Sequence, residues 1–235
     1  KIKSIKKKLK IISFGIKNKS NIKMTKLKKG KSSSILFVNY NNTKLKFLIK
    51  KNLEDYIYNI LSTLAVISIY FDLNKLTKSF FNDYKFPEGR GDINTIYFKK
   101  KKINLIDESY NSNPLSLKFA LKKLNNLNTK SARKLILLGD MLELGEYSKK
   151  LHIEAADFIN KSNINKVYVY GNNVIETFNK IRPQKKGRIL KSKKDILNFF
   201  INDIKNGEYL MIKGSNSTGL NAITQNLKLG RLNAL

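Results

Sequence analysis

Four short segments hold most of the residues able to do chemistry. Asp107-Glu108-Ser109-Tyr110-Asn111-Ser112-Asn113-Pro114 joins two carboxylates to a turn crowded with hydroxyls and amides. A carboxylate at the end of a strand can accept both hydroxyls of a ribose, so Asp107 is read as functional, whereas Ser112 and Asn113 are read as helix caps. The run 138–146, LGDMLELGE, places a Gly-Asp turn before a second acidic turn. Glu143 or Glu146 could act as a base, although carboxylates ahead of a helix commonly just complement its dipole. The single histidine, His152, has no second metal-type residue spaced to help it and reads as a packed or capping side chain. The run 213–219, KGSNSTG, has the make-up of an anion-binding loop that opens a helix, although an ordinary strand-to-helix turn would look the same. No segment carries the full GxxxxGK[ST] phosphate loop. Finally, Glu88-Gly89-Arg90-Gly91 sets an arginine between glycines, from which a guanidinium can reach a phosphate or carboxylate; the plain alternative is one more surface charge on a hinge.

These segments need elements to hold them. In the first ninety residues, Leu9–Phe14 reads as a short strand and residues 16–34 are polar and weakly patterned. Ser34–Tyr40 and Thr43–Ile49 flank the turn signal Asn41-Asn42, and helices are expected over Glu54–Phe71 and Asn74–Tyr84. The Pro87–Gly91 stretch breaks the pattern and marks a boundary, giving domains 1–88 and 89–235. Beyond it, strands Thr95–Phe98, Ile103–Ile106, Lys134–Leu138, Lys166–Tyr170, Arg188–Leu190 and Tyr209–Ile212 alternate with helices. The helices are Pro114–Leu127, Ser148–Asn160, Val174–Ile181, Lys193–Asn206 and Gly219–Lys228. This alternation predicts an α/β domain with a Rossmann-like, mostly parallel sheet. Ligands of such sheets bind beyond the carboxyl ends of the strands, where three of the four chemical segments fall.

Composition narrows the classes. With 235 residues, of which 41% are hydrophobic, the chain can bury a core and is globular. The absence of Cys excludes disulfides, thiolate metal sites and a cysteine nucleophile. Forty-seven Lys+Arg against seventeen Asp+Glu give a net charge of +30, which would ordinarily point to nucleic acid. The lysines are scattered, however, and accompany an excess of Asn and Ile of the kind AT-rich coding produces. No aromatic-interleaved platform goes with them. Surface drift is the preferred reading, with attraction of polyanions such as nucleotides as its by-product. The apolar stretch 57–71 is too short and polar to span a bilayer, and the basic start lacks a cleavage site, so a cytoplasmic location is expected. The chain starts at Lys1 and is read as a fragment.

Taken in order, the segments resemble the Mur ligase family. DESYNSNP is similar to the family's Asp-Asp-Ser-Tyr-Asn-Ala-Asn-Pro, and LGDMLELG to its Leu-Gly-Asp-Met-x-Glu-Leu-Gly, followed by a histidine matching His152. Lys213-Gly214-Ser215 matches its terminal Lys-Gly-Ser, and Gly89-Arg90 its hinge. The segment around Asn59, before Leu64-Ala65-Val66, resembles its Asn-containing adenine helix. Departures are Asp55-Tyr56 in place of His-Asn, Glu108 for a second Asp, and Asn216 for a common Arg.

The resemblance implies an ATP-dependent amide ligase of peptidoglycan synthesis, on the branch that joins D-alanyl-D-alanine to UDP-N-acetylmuramoyl-tripeptide. ATP would phosphorylate the tripeptide carboxylate, and the dipeptide amine would attack the acyl phosphate. Residues 1–88 would be the tail of the central ATP-binding domain and 89–235 the C-terminal domain. The phosphate loop and most Mg²⁺ ligands would then lie upstream, and the chain alone is not expected to turn over. By motif, Asp107, Arg90 and Asn59 would contact ATP, and Asn111, Lys213 and Ser215 would line the dipeptide cleft. A monomer is expected, with no membrane span and no specific nucleic acid. The competing readings are a sister Mur or folylpolyglutamate-type ligase with another amino substrate, and a basic nucleic-acid-binding module.

Overall fold

The computed structural model describes residues 11–17, 19–84, 87–129 and 131–231. The chain divides into two compact units, residues 1–85 and 86–235.

In the first unit, β1 (Phe14–Gly15), β2 (Ile22–Lys28), β3 (Ser33–Tyr40) and β4 (Thr43–Lys50) form a sheet in that order. β1 runs parallel to β2, and the other pairings are antiparallel. Asn41 and Asn42, with φ of 47° and 64°, make the two-residue turn expected of them, because asparagine tolerates the left-handed region. Alternation along β3 and β4 buries Leu36, Val38, Phe47 and Ile49. After a 3-10 turn, α1 (Ile57–Tyr70) follows and buries Ile60, Leu61 and Leu64.

Three expectations change in this unit. The weakly patterned stretch 16–34 contains β2, whose period of two is interrupted by a register shift between Met24 and Lys26. The helix expected over Asn74–Tyr84 is instead a 3-10 turn at Leu73–Lys75 followed by further turns. The carbonyl of Lys78 there accepts the amide of Leu48 at 2.7 Å, so a tertiary backbone bond displaces the helical ladder. Of Leu9–Phe14, Leu9 and Lys10 lie outside the described residues, and pairing begins only at Phe14.

The second unit begins with a hairpin of β5 (Asp92–Phe98) and β6 (Lys101–Glu108). It continues through α2 (Pro114–Asn126), β7 (Lys134–Gly139), α3 (Ser148–Asn160), β8 (Lys166–Tyr170), α4 (Val174–Lys180) and β9 (Lys186–Leu190). It ends with α5 (Lys193–Asn198), β10 (Tyr209–Lys213) and α6 (Leu220–Lys228). The sheet order is β5-β6-β10-β7-β8-β9, antiparallel only between β5 and β6. The α/β, mostly parallel architecture read from the sequence is the one observed. Strands here are buried on both faces, as parallel sheets demand. Leu135, Leu137, Leu210 and Ile212 pack under α5 and α6, while Ile136, Leu138 and Met211 pack under α2, α3 and α4.

The helix expected over Lys193–Asn206 stops being α-helical at Asn198. A π-type turn, Phe199–Asp203, follows and keeps Phe199 and Phe200 buried side by side. Lysine ammoniums close several helix ends. Lys134 donates to the carbonyls of Leu124, Asn125 and Leu127 at the end of α2, Lys185 to those of Ile159 and Ser162 at the end of α3, and Lys101 to those of Phe200, Ile201 and Ile204. Each satisfies carbonyls that a helix leaves without partners and places positive charge where the dipole favours it.

Candidate functional site

β10 lies between β6 and β7, but its helix α6 packs on the face opposite α2 and α3. The connections therefore part at the carboxyl end of β10, which opens a crevice for a ligand. The ends of β6, β10 and β7 deliver Asp107-Glu108, Lys213-Gly214-Ser215 and Gly139-Asp140 to this crest. At Gly139 and Gly214 the backbones approach closely: their Cα-side neighbours are each other, and an added Cβ on either would meet Leu220 within 3.0 Å.

The turn 107–114 is held rigidly. Asn113 and Ser116 form a reciprocal capping box, with Asn113 Oδ1 accepting the Ser116 amide at 2.8 Å and Ser116 Oγ accepting the Asn113 amide at 3.0 Å. Lys213 Nζ donates to the carbonyl of Asn111 at 2.9 Å. Ser215 Oγ accepts the amide of Leu142 at 2.9 Å and reaches the carbonyl of Ser112 at 3.4 Å, so the β10 loop laces the other two motif loops together. Open clefts flank this bridge. One of about 180 Å³ is lined by Tyr110, Asn111, Glu143, Ser215 and Asn216, and a larger one of about 470 Å³ by Asp140, Tyr170, Asn172, Lys191 and Thr218.

Strand alternation sends the two acids of the turn to opposite faces. Asp107 is fully buried on the α6 side; its Oδ1 accepts the amide and hydroxyl of Ser109 at 3.0 and 2.6 Å. Its Oδ2 lies 2.6 Å from Lys228 Nζ, an ion pair. Glu108 faces α2 instead, 3.8 Å from Lys213 Nζ and beside Gly91. Burial pushes the Glu108 carboxyl up, outweighing the Lys213 and Lys123 charges, and burial pulls the Lys213 ammonium down despite Glu108.

Arg90 is exposed and lies over the Tyr110 ring, 4.5 Å from its centroid. Gly91 donates its amide to the Asp107 carbonyl at 2.6 Å and Tyr110 its amide to the Gly89 carbonyl at 3.2 Å, so the Gly-Arg-Gly segment is stitched to the acidic turn. Five of the six residues singled out by sequence therefore gather at one end of the sheet: Arg90, Asp107, Asn111, Lys213 and Ser215. Within that cluster only Arg90 and Asn111 are exposed; Asp107, Lys213 and Ser215 are buried and act on the loops around them. Asn59 lies in the first unit, exposed on α1. Sequence reading passed over Glu108, Asp92 and Lys228. The period of two along β6 was the available signal for Glu108, since it separates 107 from 108.

Two other polar groups prove to be braces. His152 is fully buried; its Nδ1 sits 2.8 Å from the Ser148 carbonyl and its Nε2 accepts the amide of Met141 at 3.1 Å, which fixes the tautomer with the proton on Nδ1. Asp140 accepts the amides of Val174 at 2.7 Å and Asn172 at 3.2 Å and so starts α4. Among the described residues no three Asp, Glu or His side chains cluster as a metal site would require, and no helix is long and apolar enough to cross a membrane.

The profile of the Mur ligase glutamate ligase domain matches residues 95–216, more than half of the chain. The chain belongs to the Mur ligase family. Among its relatives, a UDP-N-acetylmuramoyl-tripeptide–D-alanyl-D-alanine ligase of Rickettsia prowazekii is 26% identical over 213 residues, covering 91% of this chain and 46% of that protein. The ligase of the same name from Buchnera aphidicola subsp. Baizongia pistaciae is 29% identical over 223 residues, covering 93% and 46%. The MurF crystal structure from Acinetobacter baumannii shares the fold with a TM-score of 0.70 at 19% identity, covering 94% of this chain and 47% of that one. The MurF ligase of Thermotoga maritima in complex with ADP gives a TM-score of 0.66 at 19% identity, covering 94% and 48%. This Mur ligase chain thus spans about half the length of these relatives.

Proposed function

We propose that this chain is the C-terminal half of an ATP-dependent ligase that joins D-alanyl-D-alanine to UDP-N-acetylmuramoyl-tripeptide in peptidoglycan synthesis. Residues 1–88 would close the central ATP-binding domain and 89–235 form the C-terminal domain. The observation that carries the reading is the lacing of the 107–114 turn and the 138–146 loop by Lys213 and Ser215, at the crest where the sheet's connections diverge. The names of the relatives supply the substrates.

In this reading Arg90, over the Tyr110 ring, meets the phosphates or ribose of ATP, and Asn59 lies on the adenine side. A ribose contact to Asp107 requires Lys228 to withdraw from its Oδ2, whereas Glu108, on the other face of the same strand, already shares its environment with a cation. Asn111, with Lys213 and Ser215 fixing its loop, borders the cleft where the dipeptide amine would reach the acyl phosphate. The amine loses a proton as the amide forms, and phosphate departs. ATP brings Mg²⁺, whose ligands are proposed to lie mainly upstream of this chain. The protein would act as a monomer in the cytoplasm.

The test is an NMR titration of the chain with ATP and, separately, with D-alanyl-D-alanine. Shifts at Arg90, Glu108 and Tyr110 are expected for the nucleotide, and at Asn111 and Asn216 for the dipeptide but not for L-alanyl-L-alanine. Equal responses to both dipeptides, or to neither, would overturn the substrate assignment.

A further inference from the structure

Lys228, in the last turn of α6, reaches two carboxylates at once: its Nζ lies 2.8 Å from Asp92 Oδ2 and 2.6 Å from Asp107 Oδ2. Asp92 opens β5, two residues after Arg90, and Asp107 stands near the end of β6, three residues before Tyr110. The remaining polar atoms around them complete a closed set. Asp92 Oδ1 accepts the amide of Gly89 at 3.1 Å, and Asp92 Oδ2 takes Asn94 Nδ2 at 2.7 Å. The amides of Gly91 and Tyr110 run to the carbonyls of Asp107 and Gly89.

We propose that Lys228 is a positioning residue: by neutralising Asp92 and Asp107 together it clamps the start of β5 to the end of β6, and so fixes where Arg90 presents itself to an anionic ligand. The proposal rests on the reading that this end of the sheet takes a nucleotide.

The physical case turns on what remains when the ammonium is removed. Two carboxylates, one of them fully buried, would then face each other with no cation between them. Like charges repel, and the strand start that carries Arg90 is the part able to move, because Asp107 is also held by Ser109. α6 itself does not depend on the ion pair for docking, since Leu220, Ile223 and Leu227 anchor it in the core. Space around Arg90 is tight. A Cβ on Gly89 would fall 2.9 Å from Tyr110 Cβ, and one on Gly91 would fall 2.7 Å from Glu108 Oε1. Gly89 and Gly91 hold φ of 77° and 92°, which favours glycine, and these close approaches pass small shifts of β5 on to Tyr110 and Glu108.

The experiment compares the whole chain with its Lys228→Met and Lys228→Arg variants by residue-resolved hydrogen exchange, with an ATP titration alongside. In Lys228→Met, protection at Gly91 and Tyr110 is expected to fall by about tenfold or more, with β7 and β8 amides unchanged and Lys228→Arg restoring the wild-type pattern. Unchanged protection at Gly91 and Tyr110 in Lys228→Met overturns the clamp, and so does a uniform loss of protection across the sheet. If the pattern holds, weaker ATP binding in Lys228→Met with rescue by Lys228→Arg supports the functional half. A wild-type chain that ignores ATP overturns the nucleotide reading, and the exchange result still decides the clamp.

Discussion

Arg90 stacks on Tyr110 with the guanidinium carbon 4.5 Å from the ring centroid, and the same tyrosine's amide is bonded to the carbonyl of Gly89. An exposed cation that would otherwise sweep a wide volume is thereby held to one place at the mouth of the acidic turn. Pre-ordering of this kind lowers the entropy lost when an anion binds.

Tyr110→Ala should therefore weaken ATP binding by about three- to fivefold, the size of an exposed cation–π contact. Tyr110→Phe keeps the ring and should bind like wild type. Calorimetric titration of the three proteins separates the stack from any role of the phenolic hydroxyl.

Glu108 and Lys213 form a second testable pair. Glu108→Gln leaves the buried Lys213 ammonium without its counter-charge, and a loss of about 3–5 kcal/mol is expected. Removing both charges in Glu108→Gln/Lys213→Met should return most of that loss. Urea unfolding of the single and double variants gives the coupling, and strictly additive losses would show that the two groups do not interact.

The Lys228 cluster sets an acid limit. Burial alone would raise the Asp92 carboxyl, but its hydrogen bonds to Lys228 and Asn94 outweigh burial and hold it below the ordinary 3.8. A depressed carboxyl contributes stability that is present above 3.8 and lost as pH falls through the folded-state value. Lys228 is shifted the other way, its two carboxylates overcoming burial to hold it above 10.5, so its contribution is complete below that value and fades only at higher pH. Asp92→Asn should flatten the stability profile below about pH 4 and, between pH 6 and 8, lower it by a constant amount without changing its slope, as measured by thermal unfolding across that range.

His152→Ala should cost about 1–3 kcal/mol, because the Met141 amide loses its acceptor in a buried site. Added zinc should not alter the unfolding temperature of the wild-type protein. A zinc-dependent rise would return this histidine to the metal ligands.

Where hydrophobic period and turn chemistry agreed, the sequence was readable. The hairpin at Asn41-Asn42, the Asn113 cap and the alternation of strands and helices beyond residue 91 all follow from local rules that nothing later overrode. β2 was hidden because its bulge shifts the alternation at Lys26, and the turns after Leu73 because Lys78 gives its carbonyl to Leu48, thirty residues away. The site was legible by segment and less so by side chain. Asp107 looked like the ligand because of its place in the motif, yet its partner is Lys228, which lies 121 positions later and which no spacing rule connects to it. Lys213 and Ser215, read from the sequence as lining a cleft, are buried and have the loops as their immediate partners.

The lysines that close the helix ends bear on how this sequence can change. Lys101, Lys134 and Lys185 each hold two or three main-chain carbonyls, a task that acetylation would abolish by removing the charge and two of the three donors. An abundance of one amino acid, however it arose, has here become part of the architecture. Recoding the chain toward a less basic composition would pass unnoticed at many solvated lysines and would unravel helix ends at these three.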